Sequence, residues 1–107
     1  MRLERERRME WALRLEQLLR LAEAAGIEVR AEAMGGQGGG LCRLKGHRVL
    51  FVDTTADAAT RYDVALSALA DVLTLDDHFV PPVVRADLER CRARRGGPSH
   101  PRATECG

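Results

Sequence analysis

Residues 34 to 40 read Met-Gly-Gly-Gln-Gly-Gly-Gly, five glycines in seven positions. No helix or strand runs through such a stretch, because glycine loses the most backbone freedom on ordering and brings no side chain to pack. The break divides the chain. What lies before it must be read as separate elements from what lies after, and with 107 residues in all both parts have to share one small domain.

Before the break, residues 3–25 carry the period of an amphipathic helix. Trp11, Leu15, Leu18 and Ala22 recur at helical spacing, Ala12 and Leu19 widen the stripe, and Gly26 stands where a helix-ending glycine belongs. The first turns, rich in Arg and Glu, lack the stripe, so residues 1–10 read as a charged extension of this helix. Ile27-Glu-Val-Arg-Ala-Glu-Ala then alternates apolar and polar, which suits a strand with one buried face.

After the break, Leu41-Cys-Arg-Leu-Lys and Val49-Leu-Phe-Val read as two strands of a hairpin turning at Lys45-Gly46-His47-Arg48. The unbroken apolar run of the second places it inside the sheet. Asp53-Thr-Thr-Ala-Asp supplies candidate N-caps for a helix from about residue 56 to 73. Ala58, Tyr62, Ala65, Leu69 and Val72 form its stripe. Pro81-Pro82 opens a third helix that runs to about Arg94 and stops at Gly96-Gly97-Pro98. The expected fold is α+β, a three-stranded sheet with helices in the order α-β-β-β-α-α. Residues 11–95 form the domain and 96–107 a tail without regular structure.

Composition excludes several classes. Hydrophobic residues make up 45% and charged residues 31%, which is globular usage. No apolar run approaches the roughly 18 residues of a membrane span. Without an apolar stretch behind the charged N-terminus, and with only three cysteines, the expectation is a cytoplasmic protein with reduced thiols and no disulfide framework. The net charge of +1 hides an uneven spread. Residues 31–82 hold four basic and seven acidic residues, whereas residues 83–107 hold six Arg and three acids. Any electrostatic partner is expected to meet the basic end.

The layout from about Leu18 to Leu73 resembles the minimal zincin metallopeptidases of the ImmA/IrrE type. The carrying phrases are Leu21-Ala-Glu-Ala-Ala-Gly-Ile-Glu-Val, the strand Val49-Leu-Phe-Val-Asp53, and the pair Arg61-Tyr62 early in the following helix. In that family the helix bears His-Glu-x-x-His, two zinc ligands one turn apart with a general base between them. The resemblance implies that the motif falls at Leu66-Ser67-Ala68-Leu69-Ala70. Leu66 and Ala70 then stand at the ligand positions and Ser67 at the base position. None of these can do the chemistry, and residues 56–75 contain no His or Glu at all to replace them. The implied protein is a degenerate, metal-less relative, with no catalytic residue and no cofactor.

Other chemistries rest on isolated residues. Cys42, His47 and His78 are weak metal-ligand candidates, since no Cys or His pair has zinc-site spacing. Cys106 lies at the very end of the chain, with only Arg102 nearby to activate it. The glycine run is followed by a strand rather than a helix, which argues against a phosphate cradle. The early arginines alternate with Glu4, Glu6 and Glu10, and base-stacking aromatics are scarce, so nucleic acid is not the expected partner. What remains is protein–protein contact, with Trp11, Arg92, Arg94 and Arg95 as candidate contact residues. Self-association through the first helix is one form of it.

Overall fold

The structure, a computed structural model, describes residues 2–36, 39–73, 79–94 and 104–105. Helix α1 (Arg2–Ala24) leads into β1 (Glu28–Glu32), β2 (Gly39–Leu44) and β3 (His47–Asp53), followed by α2 (Ala58–Leu69) and α3 (Pro82–Arg94). This is the small α+β fold expected from the sequence, with a mixed three-stranded sheet. A two-residue strand, β4 (Thr104–Glu105), adds a short parallel edge beside β2 and gives the order β1-β3-β2-β4. The sequence reading expects no regular structure in this tail; its other residues lie outside the described ones.

Strand β3 is central, as its apolar run implies. It pairs antiparallel with β2 across the Lys45-Gly46 turn and parallel with β1. Leu50 and Val52 face the helices and belong to the main core, with Leu41 and Val29 of the flanking strands packed against it. The alternation of β1 buries less than expected. Val29 is half-buried, whereas Ala31 and Ala33 are exposed, because the helix layer covers only the start of this edge strand.

Placing β1 and β2 on opposite sides of β3 forces the glycine-rich connector to cross the end of the central strand. Asp53 occupies that end. It is fully buried, and its Oδ1 accepts hydrogen bonds from Met34 N at 2.8 Å, Thr55 N at 2.9 Å and the Thr55 hydroxyl at 2.6 Å. A buried carboxylate persists only where donors replace its water. Here the donors come from the crossing loop and from the turn into α2, so one side chain ties both to the sheet.

Helix α2 starts after Asp57, whose carboxylate accepts from Thr60 N at 2.8 Å. Thr60, through its hydroxyl first and its N-cap amide second, and the nearby Arg61 charge hold the Asp57 carboxyl below its ordinary range. The helix is shorter than the periodicity suggests and ends at Leu69. Residues 70–72 continue as turns, with the amides of Val72 and Leu73 both reaching Leu69 O. The carbonyls left over there are capped from α3, where Arg92 donates to Ala70 O and, at 2.6 Å, to Leu73 O. Arg92 is therefore committed to the interior framework, although the sequence marks it as a contact residue.

Candidate functional site

Helices α1, α2 and α3 meet around Tyr62. Their stripes bury Leu15, Leu18 and Ala22 of α1, Ala65, Leu66 and Leu69 of α2, and Val84, Leu88 and Cys91 of α3. Beside this seam an open cleft of about 600 Å³ remains. Its floor is apolar, made by Trp11, Ala59, Leu66, Val83 and Ala86. Its polar lining comes from all three helices, Arg14 of α1, Asp63 of α2, and Asp87, Arg90 and Arg94 of α3. The volume lies in the range of ligand-binding clefts, roughly 300 to 1,000 Å³.

A hydrogen-bonded network fixes the cleft. The Tyr62 hydroxyl donates to Asp87 Oδ2 at 2.6 Å, Arg14 stands 3.5 Å from the same oxygen, and Arg90 donates to Oδ1. One carboxylate thus joins all three helices. The Arg14 guanidinium also pairs with Glu10 at 3.1 Å and lies 4.9 Å from the centre of the Trp11 ring, within cation–π range. Trp11 and Tyr62 pack at 5.6 Å between ring centres, tilted by 50°. Trp11 is half-buried, in contact with the core on one side and with the cleft on the other.

This setting raises the Tyr62 pKa well above its ordinary value. Burial is the largest cause, followed by the hydrogen bond to Asp87 and the Asp87 charge; Arg14 and Arg90 oppose it. The unfolded chain releases the phenol proton near pH 10, and the folded chain holds it to higher pH. The stability contributed by Tyr62 is therefore complete below about pH 10 and is lost as pH rises beyond it. Tyr62 is the sole tyrosine, so ultraviolet absorbance follows it without interference. The folded protein is expected to show no phenolate at pH 10.5, where the urea-unfolded chain is largely ionised. Tyr62→Phe is expected to remove the alkaline decline, at a cost of about 0.5–1.5 kcal/mol at neutral pH. Titration of the folded protein near pH 10 contradicts this account.

The positions singled out by the resemblance separate. Leu66 lies under the cleft at 5% exposure, whereas Ala70 is fully buried and caps the end of α2. Ser67 is half-buried, its Oγ 3.9 Å from Cys91 Sγ. Arg94 lines the cleft, whereas Arg95, His78 and Cys106 lie outside the described residues. Cys42 and His47 share the outer face of the hairpin two rungs apart, since Cys42 pairs with Val49, Arg43 with Arg48 and Leu44 with His47. Among the described residues, no group of three or more His, Cys, Asp or Glu is placed to hold a metal ion. No helix among them is long and apolar enough to cross a membrane.

Asp87 is the site residue that sequence reasoning misses. In the sequence it is one acid in an Arg-rich helix. The available signal is its position one residue before Leu88, inside the Val84, Leu88, Cys91 stripe, where a carboxylate needs a partner. No family model, no curated protein and no solved structure matches this chain.

Proposed function

We propose that the chain is a non-catalytic protein-interaction domain on a zincin-like scaffold without the metal, and that the cleft between its three helices receives a segment of a partner protein. The observation that carries this reading is the cleft itself. It has an apolar floor, an aromatic anchor in Trp11, and arginines held in place by Asp87. Trp and Arg set in a desolvated, well-packed surround are the residues that dominate protein interfaces. The helix layout supports the scaffold reading: α2 follows β3 across a short turn, and the positions matching the zinc ligands carry Leu66 and Ala70.

Selection from a displayed peptide library tests the proposal, with the protein immobilised. Val83 is 46% exposed at the cleft and lies outside the buried core, so substitution there is expected to leave the fold intact. Selected peptides are expected to shift the emission of Trp11, the sole tryptophan, and to lose at least about tenfold in affinity against Val83→Asp. Two results overturn the reading: selected peptides that bind both proteins equally, or stoichiometric zinc that survives dialysis against a chelator.

A further inference from the structure

We infer that the segment the cleft receives is acidic, with carboxylates flanking one apolar side chain. The inference rests on the protein-interaction reading above and adds the chemistry of the partner.

The argument begins with the charges facing the cleft, three guanidiniums (Arg14, Arg90, Arg94) and two carboxylates (Asp63, Asp87). Asp87 is already engaged by the Tyr62 hydroxyl and by two of the arginines, and its side chain is only 13% exposed. Its negative charge is thus neutralised from both sides. The arginines are not exhausted in return. A guanidinium has five N–H donors. Arg14 directs one nitrogen to Asp87 and another to Glu10, and Arg90 directs one to Asp87. Arg94 has no hydrogen bond or ion pair among the described residues. Arg90 and Arg94 stand one turn apart on α3, an unfavourable like-charge spacing that an anion between them relieves. Arg94 also complements the negative end of α3, a role indifferent to any partner.

Against these stands one uncommitted carboxylate, the exposed Asp63 on the α2 side. The unsatisfied donors therefore outweigh the unsatisfied acceptors, and two of the three arginines, Arg90 and Arg94, stand on one helix. The floor asks for something different. Val83, Trp11 and Leu66 offer apolar surface that a chain of charges alone leaves uncovered. A peptide with an apolar residue between carboxylates meets both demands. A nucleic acid backbone meets only the first.

The test uses a pooled peptide set in which Asp or Glu flank a fixed Leu, and a matched pool with Asn and Gln. Binding is read from Trp11 emission and by calorimetry. The acidic pool is expected to bind at least about tenfold more tightly than the amide pool, and to weaken as salt rises past about 0.15 M, where the Debye length falls below about 8 Å. Arg94→Glu is expected to lower its affinity about tenfold or more. Arg43→Glu, exposed on β2 away from the cleft, is expected to leave it unchanged. Equal binding of the two pools, or no loss with Arg94→Glu, overturns the acidic partner. So does a DNA duplex that shifts Trp11 emission and responds to Arg94→Glu. If library-selected peptides bind the cleft while the acidic pool does not, the acidic inference falls and the interaction reading stands. If neither binds, both fall.

Discussion

Replacing Gly39 by alanine is expected to lower the stability of the fold by about 3–5 kcal/mol, a large share of the roughly 5–15 kcal/mol that holds a domain together. Gly39 opens β2 opposite Val52 with φ +103°, a backbone conformation that side-chain-bearing residues rarely adopt. A Cβ built there lies 1.9 Å from the Phe51 carbonyl oxygen and 2.7 Å from its carbon. Both obstacles are backbone of the central strand, so the clash cannot be relieved by turning a side chain. The strand pair must move apart, and with it the Asp53 end of β3 that anchors the turn into α2. Gly40 is the internal control, since a Cβ there meets nothing within 4 Å and its φ is not positive. Gly40→Ala is expected to change stability by no more than about 1 kcal/mol. Urea unfolding followed by far-ultraviolet circular dichroism compares the two. Similar midpoints for both variants contradict the close approach of β2 to β3.

Much of this architecture is legible in local pattern. The α1 stripe buries Leu15, Leu18 and Ala22 as its spacing requires, Gly26 adopts φ +88° after the helix, and Pro82 begins α3. The run Val49 to Val52 lies in the central strand because unbroken apolar residues need cover on both sides. What local pattern does not carry is pairing between distant segments. The parallel pairing of β1 with β3 follows from which edge of the hairpin is open, and nothing in Glu28–Glu32 specifies that edge. The cleft is hidden for the same reason. Tyr62 and Asp87 are 25 residues apart, and Arg14 reaches Asp87 from another helix, so the network exists only once three helices are side by side. Arg92 shows the converse error. Its sequence surroundings suggest a basic surface, yet the unpaired carbonyls at the end of α2 claim it.

The other large effect concerns the positions where the family resemblance puts zinc ligands. Leu66→His with Ala70→His is expected to remove most or all of the folding free energy, without recovery in zinc. Leu66 is 5% exposed, so its replacement forfeits buried apolar contact and leaves imidazole nitrogens short of partners, about 2–5 kcal/mol. Ala70 is fully buried at the C-cap of α2, with its carbonyl bonded to Arg92, so a larger side chain there strains the core by about 1–3 kcal/mol more. The sum approaches the total stability expected of such a domain. Zinc is the discriminating addition. A formed structural zinc site contributes about 10–16 kcal/mol, enough to offset the loss. If α2 still presented both positions to a shared open site, zinc would restore the melting transition and remain bound stoichiometrically. That outcome would mean that Leu66 and Ala70 merely stand in for ligands in an otherwise intact metal centre. Failure of zinc to rescue, read by thermal melts and elemental analysis, means that the two positions share no open site: Ala70 belongs to the core, and Leu66 alone borders the cleft.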